Sequence, residues 1–145
     1  MGQGKPMQIV MDKGSLEAFL IEHFPQVGPE FAIDAVTEDG IRVRLLTDDK
    51  HLRPGGTISG PSMFALADVG VYLAILSRIG PKALAVTTNC SIDFMRKPEA
   101  GKDLVADVRL LKLGRVLAVG DVLMRSDGAG APVARASMTY SIPPK

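Results

Sequence analysis

From Ser62 to Leu76 the chain reads Ser-Met-Phe-Ala-Leu-Ala-Asp-Val-Gly-Val-Tyr-Leu-Ala-Ile-Leu, with apolar residues on nearly every face of a helix and Asp68 as the only charge. A helix of that kind is surrounded, by protein or by lipid. Its apolar part, Met63 to Leu76, is broken by Asp68 and is shorter than the ~20 residues that span a bilayer, so it reads as a buried core helix. Pro61 sits where this helix starts, because its fixed φ suits a first turn whose N–H groups are unpaired anyway. Ser59 or Gly60 supplies the cap, and the helix is predicted to run to about Arg78 and stop near Gly80-Pro81.

The remaining periodicity says what encloses it. Leu16, Phe19, Leu20 and Phe24 form the stripe of an amphipathic helix over about 15–24, with Ser15 as its cap and Pro25 as its end. Phe31–Val36 and Ile41–Leu46 read as short strands joined by a Glu38-Asp39-Gly40 turn, and a Gly/Pro-rich loop follows from Thr47 to Gly56. Ala83–Phe94, Leu104–Leu113, Val116–Met124 and Val133–Ile142 are four more strands, with turns at Gly114 and at Asp127-Gly128-Ala129-Gly130. The order α-β-β-α-β-β-β-β with one apolar helix predicts an α+β layer structure, an antiparallel sheet wrapped around the helix it buries. One domain over 1–145 is expected, with a core of about 30–142 and a loose stretch at 1–12.

Composition excludes several classes of function. With 145 residues, 46% hydrophobic and 23% charged, the chain can bury roughly 68–70% of its unfolded surface without staples. Seventeen Lys and Arg against sixteen Asp and Glu leave a net charge of +1 and no drive toward a phosphate backbone, so nucleic acid is not an expected partner. Cys90 stands alone, and no Cys/His cluster suggests a metal. The N-terminus lacks the basic-then-apolar layout of a signal peptide, and the protein is read as cytoplasmic, with no membrane partner.

Two features carry chemistry. A carboxylate inside an apolar helix must be solvated by a cleft, hydrogen-bonded or functional, so Asp68 is either a structural acceptor for a neighbouring strand or a base or nucleophile. Gly55-Gly56-Thr57-Ile58-Ser59-Gly60 leads into the helix N-terminus, where free N–H groups and the dipole favour developing negative charge; the plainer reading is a tight turn. On the strand ending at Phe94, Val86, Thr88, Cys90, Ile92 and Phe94 alternate with Ala85, Thr87, Asn89, Ser91 and Asp93, which predicts an apolar face and a polar face. His51 reads as an exposed or structural histidine and His23 as a packing residue on the first helix. No G-x-G-x-x-G opens a βαβ unit, so dinucleotides are set aside.

Taken together, His51-Leu-Arg-Pro-Gly-Gly-Thr-Ile-Ser-Gly-Pro61, the helix with Leu66-Ala67-Asp68, Val86-Thr-Thr-Asn89 and Phe94-Met-Arg-Lys-Pro-Glu-Ala-Gly101 resemble the hotdog-fold acyl-CoA thioesterases of the phenylacetate-degradation (PaaI-like) family, over about 30–142. The resemblance implies a hotdog fold and hydrolysis of an aryl- or medium-chain acyl-CoA, with no cofactor beyond the CoA thioester itself. In that family an Asp nine positions after a turn His activates water or attacks the thioester. Asp68 stands nine after Ser59 and takes that place. Gly60 matches the Gly whose N–H polarises the carbonyl, and Thr87 the Ser or Thr of the partner subunit that places water.

Three positions differ from the family pattern: Ser59 replaces the turn His, Pro61 the second Gly, and Arg53 an Asn. Pro61 removes an N–H the first turn can spare. Arg53 is expected either to pair with Asp68, which would lower its basicity, or to meet an anionic acyl group or CoA phosphate. Ser59, Asn89, Arg96 and Lys97 complete the expected substrate contacts, and Lys112 and Arg115 flanking Gly114 are further candidates for phosphates. A homodimer or homotetramer with the site across the dimer interface is implied. The alternative is an acyl-CoA-binding protein without turnover. A hydratase of the same fold would show Asp-x5-His, but Leu45 stands six before His51, and no DNA-binding segment suggests a regulator. Which acyl group fits depends on whether Met63, Phe64, Tyr72 and Met95 reach the pocket.

Overall fold

A computed structural model describes residues 8–82 and 84–143. The Ser59 hydroxyl accepts from the Ser62 N–H at 3.3 Å, Pro61 follows in the first turn, and the central helix, α2, runs Gly60–Ile79. It ends at Gly80, whose φ of 92° suits glycine. These bounds are the expected ones to within a residue, and at 20 residues and a mean hydropathy of 1.5 α2 as a whole could by length and composition cross a bilayer. Its C-terminal half, Gly70 through Arg78, is instead enclosed by the chain's own sheet. Leu73 and Leu76 in this half, and Leu66 a turn before it, are fully buried, each contributing about 2 kcal/mol of transfer free energy.

The enclosing sheet contains β1 (Phe31–Val36), β2 (Gly40–Leu45), β3 (Val86–Phe94), β4 (Leu104–Leu113), β5 (Leu117–Ser126) and β6 (Ala134–Ser141). They form one antiparallel sheet in the order β1-β2-β4-β5-β6-β3. The expected α+β wrap is therefore what the chain adopts. Ile41, Val43 and Leu45 of β2, and Ala134, Ala136, Met138 and Tyr140 of β6, turn alternate side chains into the core. The outward face is polar: Arg44 donates to Asp34, Asp103 and Asp127, and Arg42 and Arg125 both donate to Asp107.

Gly40 lets β2 and β4 meet, since a Cβ there would stand 1.8 Å from the Val108 carbonyl oxygen. The same residue's carbonyl accepts from the buried Arg78 guanidinium at 3.0 Å, which ties the β1–β2 turn to the end of α2. His51 proves structural and buried. Its Nδ1 accepts from the Asp48 N–H at 2.9 Å, so its Nε2 carries the proton toward Glu30 Oε1 at 2.7 Å.

Several boundaries differ from the sequence reading. The first helix, α1, is Lys13–His23, and its cap is Asp12, which accepts from the Ser15 N–H at 2.8 Å; Ser15 lies inside the first turn. Of the stretch expected to be loose, 1–7 lie outside the described residues, while Val10 and Met11 N–H groups both reach the Ser77 carbonyl and Met11 is buried. His23 is exposed and stacks on Phe19 with centroids 4.2 Å apart, rather than packing inward. β3 starts at Val86; Ala83, where the strand was expected to begin, is outside the described residues.

The largest correction is on β3. Its register with β6 slips between Thr87 and Asn89: Thr87 pairs with Tyr140, Asn89 with Thr139, and Cys90 with Met138. Thr88 is the extra residue of a bulge. Beyond it the alternation holds, with Cys90 and Ile92 packed on the core, but before it the phase reverses. Thr87, expected on the polar face, joins the helix-facing side. β3 is also the sheet edge next to β6, and Val86 and Phe94 are more than half exposed.

Candidate active site

The slipped register and the helix together place one carboxylate. Asp68 lies on the strip of α2 that the chain's own sheet leaves half covered, together with Phe64, Ala65 and Val69. From β3 the Thr87 hydroxyl donates to Asp68 Oδ1 at 2.5 Å, and from β6 the Tyr140 hydroxyl reaches the same oxygen at 2.7 Å and the Asp68 carbonyl at 2.9 Å. Two hydroxyl donors on one oxygen hold the carboxylate in place. No hydrogen bond to Oδ2 occurs among the described residues. Asp68 is thus a half-buried anion oriented by hydroxyls, with one oxygen left for chemistry.

Around it lies a cavity of about 450 Å³, lined by Leu20, Phe24, Val27, Val69, Tyr72, Ala85, Val86, Thr87 and Tyr140. Its walls are largely apolar and aromatic. Tyr72 and Tyr140 rings lie 6.1 Å apart, and Phe24 meets Tyr72 edge-on at 5.8 Å. Burial pushes the Tyr72 phenol up to about 12, and burial with the Asp68 charge beside it holds the Tyr140 phenol far above its ordinary value. Both remain protonated at neutral pH, so Tyr140 is a donor and not a base. Burial, and then the Asp68 charge, also raise the Cys90 thiol.

The other expected site residues gather elsewhere. A second cavity of about 340 Å³ is lined by Arg53, Ile58, Gly60, Met63, Phe94, Met95, Arg96 and Lys97. Gly60 opens α2, so its N–H has no intrahelical acceptor and points out of the helix end. A Cβ on Gly60 would touch the Phe94 ring at 3.3 Å, so any larger residue would crowd this mouth. Three cations and a helix N-terminus make this cavity a place for negative charge. Arg96 also donates to the Pro132 carbonyl.

The structure places four of the expected residues as follows. Arg53 does not pair with Asp68; it lines the second cavity, and no cation contacts Asp68 among the described residues. Thr87 meets the Asp68 of its own chain rather than arriving only from a second subunit. Ser59 spends its hydroxyl on capping α2 and on Ser62 Oγ at 2.9 Å. Asn89 faces outward opposite Thr139, as the alternation with Cys90 and Ile92 requires, and lines neither cavity, while the bulge brings Thr87 to the other face. Arg115 lies with Lys82 in a third cavity, of about 800 Å³, at the far end of α2, and Lys112 lines none of the three. Of the four residues left open, Tyr72 lines the Asp68 cavity, Met63 and Met95 line the second, and Phe64 lines neither.

Asp68 and Gly60 are separated within one chain. Eight residues of helix put them roughly 12 Å apart along the axis, too far for one oxygen to attack a carbonyl that the other polarises. Sequence reasoning missed Tyr140, although it is the one polar group in the inward series Ala134, Ala136, Met138, Tyr140. A hydroxyl at an inward position needs a partner.

Residues 55–133 match the family model of the thioesterase superfamily. A Pseudomonas aeruginosa protein named as a putative esterase is 34% identical over 102 residues, which cover 70% of this chain and 74% of that protein. The crystal structure of a putative thioesterase from Silicibacter sp. TM1040 superposes with a TM-score of 0.90 at 61% identity, over 97% of each chain. A hypothetical thioesterase of Streptococcus pneumoniae TIGR4, solved with coenzyme A, shares the fold at a TM-score of 0.70 and 20% identity, over 91% of this chain and 97% of its own.

Proposed function

Since the chain belongs to the thioesterase superfamily and has its hotdog fold, we propose that it hydrolyses an acyl-CoA thioester to the free acid and CoA, with Asp68 as the group that brings oxygen to the carbonyl. The observation that carries this reading is the Asp68 carboxylate itself, held by one oxygen and open on an apolar cavity. As a base, Oδ2 takes a proton from water while the water oxygen bonds to the thioester carbon. The tetrahedral oxyanion collapses, the C–S bond breaks, and the thiolate leaves as CoA thiol with that proton. As a nucleophile, Oδ2 attacks first and water then cleaves the mixed anhydride. Neither route needs a cofactor.

The oxyanion requires a donor, and Gly60 N–H is the free one. Because Gly60 and Asp68 of one chain lie roughly 12 Å apart along α2, the reading pairs two copies, so that the Gly60 end of one faces the Asp68 cavity of the other. The unpaired edge of β3 and the exposed apolar residues Val86, Phe94, Met95 and Phe64 support a homodimer formed on that side. A homotetramer would stack two such pairs. Arg53, Arg96 and Lys97 then take the phosphates of CoA, the ligand found with the Streptococcus relative. Phe24, Tyr72 and Tyr140 favour an aryl acyl group, as in phenylacetate degradation, over a long straight chain. The cytoplasm, where acyl-CoA is made and used, is the proposed compartment.

Thiol release from phenylacetyl-, hydroxyphenylacetyl-, benzoyl- and straight-chain acyl-CoAs, run beside Asp68→Asn of unchanged fold and assembly, tests the reading. Turnover that falls at least about a hundredfold in the variant is expected. Binding of acyl-CoA without turnover by the parent would overturn hydrolysis and leave an acyl-CoA-binding protein.

A further inference from the structure

Asp68 receives more than a hydrolytic carboxylate needs from Thr87 alone. Its Oδ1 accepts from two hydroxyls that reach it from different strands, Thr87 on β3 and Tyr140 on β6. Those residues are register partners across the strand pair, so their spacing is fixed by backbone hydrogen bonds. Tyr140 also contacts the Asp68 carbonyl, which fixes its hydroxyl relative to the helix backbone as well as to the side chain. With its ring only 3% exposed and flanked by Tyr72, Tyr140 cannot swing away from the carboxylate.

Resting on the thioesterase reading, we propose that Tyr140 is a positioning residue of this site: by occupying Oδ1 with Thr87 it fixes the plane of the Asp68 carboxylate and makes Oδ2 the oxygen that acts. Tyr140 touches neither water nor thioester and works only through Asp68. The groups facing Asp68 are Thr87 and Cys90 from β3, Tyr140 from β6 and Tyr72 from its own helix, while α1 and the turn after it contribute only the apolar Leu20, Phe24 and Val27 to the cavity wall. Tyr140 is therefore the one phenol that holds the Asp68 carboxylate by a direct hydrogen bond.

Tyr140→Phe tests this through a readout independent of activity: the orientation of the Asp68 carboxylate in crystal structures of the parent and the variant. Loss of one of the two donors to Oδ1 should turn the carboxylate plane or split it between two rotamers, and kcat should fall about tenfold with little change in KM. If the Phe variant does not fold, 3-fluorotyrosine in place of tyrosine keeps the shape and makes the phenol a stronger donor. The chain has two tyrosines, and only Tyr140 hydrogen-bonds Asp68. The contact between that phenol and Oδ1 should then shorten. A carboxylate unmoved by either change overturns the proposal, even if acyl-CoA is hydrolysed. A carboxylate that moves in a protein without turnover keeps the positioning and removes the thioesterase reading instead.

Discussion

Tyr72→Phe should make the protein more stable. The Tyr72 side chain is buried, at 7% exposure, and its hydroxyl has no hydrogen-bond partner among the described residues. A buried unpartnered hydroxyl costs about 1–3 kcal/mol relative to water. Removing the oxygen leaves the ring contacts with Phe19, Phe24 and Tyr140, at 6.3, 5.8 and 6.1 Å, in place. No cavity larger than the hydroxyl is created, so the gain should survive as about 1 kcal/mol, or roughly 2–4 °C in Tm. Tyr140→Phe is the internal control, because the same edit there removes a donor that Asp68 uses and should destabilise by about 1–2 kcal/mol. Urea unfolding at one fixed protein concentration, with m-values compared, measures both. A Tyr72→Phe protein destabilised by about 1 kcal/mol or more would refute the reasoning, since the hydroxyl would then be bonded in the assembled protein.

Gly40→Ala should lower stability by about 3 kcal/mol or more, read as a shifted urea midpoint, because its Cβ would collide with backbone at Val108 and displace the Arg78 acceptor. Glu30 gives a pH test. The His51 hydrogen bond, with help from Lys50, holds its carboxyl below the ordinary 4.5 against the opposing effect of burial. The contribution is therefore present above about pH 4.5 and is lost as pH falls through the lower, folded value. Glu30→Gln should be less stable at neutral pH and should lose less stability on acidification, measured by unfolding at a series of pH values from 7 downward.

The chain states its fold more openly than its site. The α2 run, the turn residues and the inward alternation of β6 are local patterns, and the structure follows them within a few residues. Asp12 and Ser15 can each accept an N–H, and the sequence favours Ser15 because it lies nearer the apolar stripe, whereas the helix uses Asp12. The grouping of the site is less legible. Arg53 and Asp68 are both charged, yet they line different cavities, and only the course of the loop relative to α2 decides that. Tyr140 is far from Asp68 in sequence and becomes its partner only through the pairing of β3 with β6.

The bulge at Thr88 also changes how positions on β3 are to be counted. In a regular strand, residues on one face share the parity of their numbers; here Thr87 shares a face with Cys90 and Ile92. Counting by twos back from Ile92 and Cys90 arrives at Thr88, a threonine that donates to the Thr139 carbonyl and makes no hydrogen bond to Asp68. In a homologue without the extra residue, the counterpart of Thr87 stands two places before that of Cys90 instead of three. An ungapped alignment through this strand would therefore match the wrong hydroxyl to the carboxylate, and the gap belongs at 88.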